Sequence, residues 1–366
     1  MKPRRAALRA AVRSALAGAL GEGPARLVYD AVSASRELAW NSVRRRLYPS
    51  FWRRSFVERR CGVRSVAVHG EFGDAILALP FVYGERLRHQ DQRLRVVIKG
   101  AGARAAASTK DDPFAERGLR QMHDETGSAT NFLAQFWLRV PFVDEVQEGD
   151  VADPRFHYWQ PQPAFGLQLR TVGPSDYAPF LHRLFSGEDA QRAEEIWAAA
   201  ERPLRIVAHL RRSADEIATL LQQLDASALA PSCAVAVLGS RRHERIPDIA
   251  LSGVELIDLT DNYEKGIPIM PLLQAIRMAD LFVGGRGGFE LFALAAGVPA
   301  ITVFDEDGWW EQRRLWPERL WDENPLGGFI RASQFDAQRA LRDVALPWLT
   351  RRLASRLNAE ALSVAS

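Results

Sequence analysis

Runs of apolar residues alternate with stretches of helical periodicity through the first half of the chain. Val63–Val68 has the pattern of a short buried strand, and a helix pattern follows from Ala75 to Arg88. Leu94–Ile98 and Phe142–Val146 are further strand patterns, and Asn131–Arg139 is a helix pattern between them. This alternation predicts a parallel sheet covered by helices.

A second series of the same kind begins near residue 204 and is preceded by a helix pattern over residues 188–201. Its predicted strands are Leu204–Leu210, Ala234–Leu238, Val254–Leu259, Leu281–Val283 and Pro299–Phe304; its predicted helices are Ala214–Leu224, Met270–Met278 and Phe289–Ala296. The prolines of residues 150–180 predict an irregular crossing between the two series, because proline removes a backbone donor and breaks helices. A last helix, from about Asp336 to Leu357, is expected to be interrupted at Pro347.

The pattern as a whole predicts an α/β protein with two Rossmann-like halves. We place a helical arm at residues 1–60, a first domain at 61–180, a second domain at 181–335 and a terminal helix at 336–366.

Composition agrees with a soluble globular protein: 47% of the 366 residues are hydrophobic and 25% are charged. The longest run of low polarity, Phe292–Phe304, is too short to span a membrane. Cys61 and Cys233 cannot build a disulfide framework or a zinc site, which favours a reducing compartment. We therefore expect a cytoplasmic protein.

The net charge of +3 conceals a basic arm. Residues 1–60 hold 14 Lys and Arg against four acidic residues, so the arm carries about +10 and the remaining chain about −7. An amphipathic basic helix can lie on an anionic membrane surface or dock on its own protein. A peripheral contact of the arm with the inner face of the membrane and docking of the arm on its own protein are both open alternatives. We expect no nucleic-acid partner, because no recognised nucleic-acid module is present.

Candidate chemistry lies where predicted strands pass into predicted helices. In residues 69–74, a glycine-containing turn leaves backbone N–H groups free at a helix start. Gly73 permits close approach of a ligand, and Asp74 carries a carboxylate at the edge where ligands gather in open α/β sheets. A mere N-cap role for Asp74 is an equal alternative. Glu71 and His69 lie in the same turn.

The second such stretch has His209 at a strand end, followed by Arg211, Arg212 and Ser213 before a helix. Guanidinium groups bind phosphate oxygens bidentately, and the helix N-terminus adds its dipole. Ser213 can cap the helix or donate to a phosphate. The alternative is an arginine pair that only solvates the helix start.

The third stretch is a glycine-rich loop between a buried strand and a helix. Without Cβ atoms, Gly285, Gly287 and Gly288 let their amides approach an anion, and Arg286 adds a positive charge. Glu290, in the first helical turn, can accept hydrogen bonds from sugar or ribose hydroxyls. The alternative is a tight packing turn with no ligand.

Two smaller features follow other strands. Gly239 and Arg241 follow the predicted strand Ala234–Leu238. They could contact the ligand, or they could belong to an ordinary loop. Asp305 follows Pro299–Phe304 and precedes two tryptophans, whose faces suit sugars or bases and serve equally for packing between domains.

Several other chemistries lack their motifs. The chain contains neither a GxxxxGK[ST] phosphate loop nor a GxSxG elbow, and its seven histidines show no metal-ligand spacing. We expect no metal site and no resident cofactor.

Several short motifs follow one another along the chain in a characteristic order. Gly73–Pro80 reads GDAILALP and Pro141–Val146 reads PFVDEV; the second half holds DLT at 258–260, ADLFVG at 279–284 and AGVP at 296–299. In this order the motifs resemble the heptosyltransferase-like glycosyltransferases, family 9 of the GT-B fold. The resemblance covers about residues 63–335.

The resemblance implies a GT-B architecture, in which two Rossmann-like domains face a cleft, here with a basic helical N-terminal extension. It implies a nucleotide-sugar donor in the second domain, an acceptor in the first, and an inverting, metal-independent transfer. Asp74 would be the general base, with Glu71 and His69 as substitutes. Residues 336–366 would pack back across the cleft.

The chain departs from this family at the glycine loop. Aligned back from Pro299, the family has Asp-Ser-Gly-x-x-His, whereas Arg286 and Leu291 stand at the positions of the aspartate and the histidine. His209–Arg212 reads HLRR, and resembles the H-x-R-R strand end of GT-B fucosyltransferases, whose arginine contacts the GDP diphosphate.

The sequence thus predicts a glycosyltransferase acting on a hydroxyl of a cell-envelope glycan or lipid-linked acceptor, as in lipopolysaccharide. The predicted donor-binding residues are Gly73, His209, Arg211, Arg212, Ser213, Gly239, Arg241, Gly285, Arg286, Gly287, Gly288, Glu290 and Asp305. The alternatives are a nucleotide-sugar epimerase, a catalytically inactive GT-B-like nucleotide-sugar-binding protein, and an adaptor that acts through the basic arm.

Overall fold

The fold is taken from a computed structural model. It describes residues 18, 62–69, 72–99, 132–149, 173–210, 213–239, 247, 249–260, 269–285, 287–305, 318–327 and 330–365. Apart from Gly18, the predicted basic arm lies outside these residues.

The first sheet has three described strands, all parallel, in the order β1-β2-β3. They are β1 Val63–His69, β2 Arg93–Lys99 and β3 Glu145–Gly149; helix α1, Phe72–Arg88, follows β1, and helix α2, Phe132–Arg139, precedes β3. The register places Val66 beside Val96 and Val96 beside Val146. The predicted alternation of strand and helix is therefore present in this half.

The third strand begins later than the sequence pattern indicated. Phe142 and Val143 are buried, but they lie in a turn in which the Val143 N–H donates to the Val140 carbonyl at 3.0 Å. The apolar run was therefore a buried turn rather than the start of a strand.

Helix α1 begins at Phe72, ahead of the predicted start at Ala75. Gly73 and Asp74 thus lie in its first turn, and the reading of Asp74 as the N-cap is wrong. An acidic residue in the first turn is favoured by the helix dipole.

The proline-rich crossing predicted over residues 150–180 is partly helical. Helix α3, Pro174–Leu184, contains two prolines, Pro174 and Pro179. Pro174 is the first residue of the helix, where a missing N–H costs nothing. Pro179 and Ser175, whose carbonyl loses its partner, are both exposed, so water can hydrate that carbonyl. The predicted boundary at 180–181 falls within this helix, and the domain division stays a prediction.

The second sheet has six parallel strands in the order β6-β5-β4-β7-β8-β9. The strands are β4 Leu204–His209, β5 Cys233–Gly239, β6 Glu255–Thr260, β7 Leu281–Gly285, β8 Ala300–Phe304 and β9 Ile330–Arg331. The accompanying helices are α4 Gly187–Ala198, α5 Ala214–Asp225, α6 Ile269–Arg277, α7 Gly288–Ala295 and α8 Glu318–Asp322, with a 3₁₀ turn at Ala230–Ser232.

The central strands of this sheet are buried on both faces, as their continuous apolar sequences require. Val207 and Phe282 face a hydrophobic cluster that also contains residues of the first sheet, such as Val66 and Val96. Ile206 and its neighbours on the opposite face pack in a second cluster with the terminal helices. The two halves of the chain therefore share one continuous apolar cluster.

The C-terminal helix runs through Pro347 instead of stopping there. After a 3₁₀ turn at Ala332–Gln334, short helix α9, Ala337–Ala340, enters a π-helical turn, Leu341–Ala345, and helix α10 then extends over Leu346–Ala365. A wider turn just before a proline gives its ring room against the preceding carbonyls.

Helix α10 is held on the second sheet by Asp280, which directly precedes β7. Its carboxylate has no exposed surface and accepts hydrogen bonds from Arg352, from Arg356 and from the Arg205 backbone N–H. Trp348 Nε1 donates to the Asp280 carbonyl at 2.8 Å. These contacts lie on the second sheet; the predicted return of this helix across a cleft stays a prediction.

Candidate functional site

The strand order of the second sheet creates a switch point between β4 and β7. Counted from β4 as the first strand, the order is 3-2-1-4-5-6, that of a doubly wound dinucleotide-binding sheet. At this point the chain departs in opposite directions from two adjacent strands, which leaves a crevice at their carboxyl ends. His209 and Gly284 are register partners at that edge. The predicted stretches after β4 and after β7 therefore meet here.

The glycines after β7 are required by their neighbours. A Cβ on Gly284 would lie 2.7 Å from the ring of Phe282 and 3.2 Å from His209 Cβ. A Cβ on Gly287 would lie 3.3 Å from His209 Cε1. Both positions thus leave room for the His209 side chain, so packing explains part of the glycine-rich loop. Gly285, between them, is buried and pairs with Val303 of β8.

His209 is a packing residue at the strand end. Only 5% of it is exposed, and its ring meets the edge of Phe289 with centroids 5.2 Å apart. Its predicted contact with a donor stays a prediction; in this structure the imidazole supports the glycine loop and the first turn of α7.

Glu290 lies inside the protein, in the first turn of α7. It is 0% exposed, and its Oε2 accepts a long hydrogen bond, 3.4 Å, from the Gly287 N–H. A carboxylate at this place is favoured by the helix dipole. The Gly287 N–H at the start of α7 therefore already has a carboxyl oxygen of the protein as its hydrogen-bond partner.

Ser213 combines two features that are unusual for a residue before a helix. Its backbone is left-handed, with φ 39° and ψ 31°, a conformation that costs free energy in a residue other than glycine. Its hydroxyl is buried and finds no hydrogen-bond partner among the described residues. Strained backbone and unsatisfied polar groups are both features that cluster at functional sites.

The first sheet presents the start of α1 to the start of α7. A Cβ on Gly288 would lie 2.7 Å from Phe72 Cδ1 and 2.9 Å from the Gly73 backbone nitrogen. A Cβ on Gly73 would lie 3.5 Å from Leu291 Cδ1. Two helix N-termini, one from each half, thus meet almost backbone to backbone beside the switch point.

The remaining predicted residues divide into two groups. Gly239 ends β5, and Asp305, which is half-buried, follows β8, so both lie at the same sheet edge. Glu71, Arg211, Arg212, Arg241 and Arg286, together with the side chains of His69 and Asp74, lie outside the described residues.

Sequence reasoning missed Phe72 and Phe289, which connect the two helix starts. Phe72 contacts the rings of Phe289, Phe292 and Phe136, with centroids 6.0, 6.4 and 5.6 Å apart. No local signal in the sequence marks these phenylalanines, because aromatic side chains also fill ordinary cores.

The described residues contain no cluster of three or more His, Cys, Asp or Glu side chains that could hold a metal ion. None of their helices has the length and apolar character needed to cross a membrane.

Comparison with known proteins gives only distant matches. No protein-family model and no curated protein matches the chain. A family 9 glycosyl transferase from Veillonella parvula DSM 2008 is 11% identical, with a TM-score of 0.47 over 79% of this chain and 97% of that one. The E. coli ADP-heptose lps heptosyltransferase II is 10% identical, with a TM-score of 0.45 over 80% of this chain and 99% of that one. The E. coli heptosyltransferase WaaC with ADP-2-deoxy-2-fluoro heptose is 14% identical, with a TM-score of 0.36 over 75% of this chain and 97% of that one. Likeness at this level assigns no function.

Proposed function

We propose that the chain is an inverting, metal-independent glycosyltransferase of GT-B type, which transfers a sugar from a nucleotide-sugar donor to a hydroxyl of a cell-envelope glycan or glycolipid. The observation that carries the proposal is the switch point between β4 and β7. Its glycine loop and the Ser213 turn lie at the edge where such sheets bind nucleotides, and the start of α1 lies beside them. The sequence motifs support the same reading.

The donor diphosphate would bind at the start of α5. Arg211 and Arg212 precede this helix in the sequence, and the Ser213 hydroxyl is buried without a partner among the described residues. A helix N-terminus and two guanidinium groups together favour a diphosphate. Because Glu290 already engages the Gly287 amide, the start of α7 would take a lesser share, chiefly through Arg286.

The acceptor would approach from the side of α1. Asp74, in its first turn, would take the proton of the acceptor hydroxyl as that oxygen attacks the anomeric carbon. The bond from the anomeric carbon to the diphosphate breaks, and the configuration inverts. The negative charge that develops on the leaving diphosphate would be stabilised by the arginines and by the α5 dipole, which supply the positive charge. Glu71 and His69 are the substitute bases.

One observation favours a catalytically inactive binding protein as the second candidate. Leu291, which stands where the family has histidine, packs against Gly73 as a core residue, and Arg286 replaces the loop aspartate. Such a site would keep its affinity for a nucleotide sugar and lose turnover.

The test is product analysis with the full-length protein and UDP, GDP, ADP, CMP and dTDP sugars, with and without an envelope glycolipid extract. A transferase releases nucleotide only when acceptor is present, and Asp74→Asn abolishes that release while nucleotide still binds. Conversion of donor without acceptor would indicate an epimerase, and binding without any product would indicate the inactive protein.

A further inference from the structure

We propose that the packing of Phe72 against Phe289, which we call the link, couples the carboxyl ends of β4 and β7 to the start of α1. An anion bound near Ser213 would then order the helix that carries Asp74. The proposal rests on the proposed function only for the identity of that anion. In this proposal Phe72 and Phe289 are positioning residues, which act through the start of α1.

The first part of the link is the contact between α1 and α7. Phe72 lies against Phe289 and Phe292, and Gly288 sits so close to Gly73 that a Cβ there would stand 2.9 Å from a backbone nitrogen. Close-packed backbone and rings leave no compliant layer between the two helix starts. A shift of the α7 start must therefore be followed by α1 or must open a gap.

The second part of the link runs from Phe289 to the strand end. The Phe289 ring meets the buried His209 ring, and His209 ends the strand from which the chain passes to Ser213. Ser213 holds a strained left-handed backbone at the predicted anion site. An anion that binds the Ser213 hydroxyl stabilises one conformation of this turn more than the others. Such a difference in binding between conformations is what coupling between two sites requires.

The contact between the two helix starts is continuous with the apolar core. Within the described residues, the N-termini of α1 and α7 are in contact through Phe72, Gly73 and Gly288. The shared apolar cluster continues behind them, with Phe136 on α2 edge-on to Phe72 at 5.6 Å. The start of α1 is thus held by α7 on one side and by α2 on the other.

The test uses the full chain as wild type, Phe289→Leu and Phe142→Leu. Phe142 is the matched control, since this buried phenylalanine packs on α1 at Tyr83, beyond residues 76–79. Hydrogen exchange is followed at the amides of residues 76–79, which make the first intrahelical bonds of α1. Each protein is measured alone, with inorganic pyrophosphate, and with the nucleoside diphosphates ADP, GDP and UDP.

We expect Phe289→Leu to speed ligand-free exchange at residues 76–79 about fivefold, a typical size for coupling between sites. The Phe142→Leu protein should exchange there as the wild type does. We also expect anion binding to slow this exchange in the wild type and to leave it unchanged in Phe289→Leu.

Equal ligand-free exchange in Phe289→Leu and wild type, or an equal acceleration in Phe142→Leu, would overturn the link. So would a bound anion that leaves residues 76–79 unaffected in the wild type. If no nucleotide binds, the proposed function fails, while the ligand-free comparison and the pyrophosphate arm still decide the link.

Discussion

Gly288, at the start of α7, touches Gly73, in the first turn of α1, so closely that a Cβ on Gly288 would stand 2.9 Å from the Gly73 backbone nitrogen. The two residues come from opposite halves of the chain and meet beside the switch point of the second sheet. This contact brings the proposed base helix to the proposed donor loop.

Gly288→Ala should destabilise the protein by about 1–3 kcal/mol, because the added methyl overpacks against backbone that cannot turn aside. Gly84→Ala is the control: it lies inside α1 with nothing within 4 Å of its Cβ, and should stabilise by about 0.5–1 kcal/mol through helix propensity. Urea unfolding of both variants provides the comparison. A Gly288→Ala protein as stable as the wild type would show that the contact is loose.

Asp280→Asn should lower the free energy of unfolding by about 1.5–3 kcal/mol, because the buried side chain loses its charge-assisted hydrogen bonds to Arg352 and Arg356, which are themselves partly exposed. Asp343→Asn breaks the exposed pair with Arg342 and should leave the unfolding midpoint unchanged within error. Equal midpoints for both variants would remove Asp280 as the anchor of the C-terminal helix.

Cys233 should resist alkylation in the folded protein. Burial, aided by the charge of Asp280, raises the pKa of its thiol to about 12, so almost no thiolate is present at pH 8. In a Cys61→Ser background, iodoacetamide should modify Cys233 only on unfolding, and faster in Asp280→Asn. Rapid modification of the native protein, detected by mass spectrometry, would show instead that the start of β5 opens in the folded state.

Asp225 should make stability depend on pH at the acid end. Burial raises the pKa of its carboxyl, but the backbone N–H groups of Ser252, Val254 and Gly253 and the Ser252 hydroxyl outweigh burial and hold the pKa below 3.8. The ionised carboxylate therefore stabilises the fold above the unfolded pKa of about 3.9, and this contribution disappears as the pH falls through the folded pKa.

The measurement is urea unfolding between pH 6 and about pH 2 for wild type and Asp225→Asn. The stability difference between the two proteins should be constant above about pH 5 and shrink toward zero below pH 4. A difference that does not change with pH would mean that the charge of Asp225 contributes nothing.

Periodicity predicted most strands and helices of the second sheet, because central parallel strands are continuously apolar and their bounds are set by turns. The prediction failed where apolar residues fill a turn instead of a strand, and where prolines stand within or before a helix without ending it. Phe142 and Val143 fill a buried turn, Pro174 starts a helix, and the π-helical turn before Pro347 keeps the last helix continuous.

The site was predictable only in its local parts. Strand, glycine loop and helix start are adjacent in sequence, so Gly285, Gly287 and Gly288 could be singled out. The contact of Phe72 with Phe289 joins distant parts of the chain, and the hydrogen bond from the Gly287 N–H to Glu290 depends on the Glu290 rotamer. Neither leaves a periodic signal.

The central claim is a nucleotide site at the switch point between β4 and β7, and nucleotide-dependent melting of the full-length protein tests it most directly. UDP, GDP, ADP, CMP and dTDP are each added to wild type, Arg211→Ala, Arg286→Ala and Asp74→Asn. A nucleotide at a hundred times its dissociation constant should add about 2.7 kcal/mol. One nucleotide should raise the melting temperature of wild type and of Asp74→Asn, raise it less in Arg286→Ala, and leave it unchanged in Arg211→Ala. No shift with any nucleotide, or a shift of full size in both arginine variants, would contradict a nucleotide site at this place.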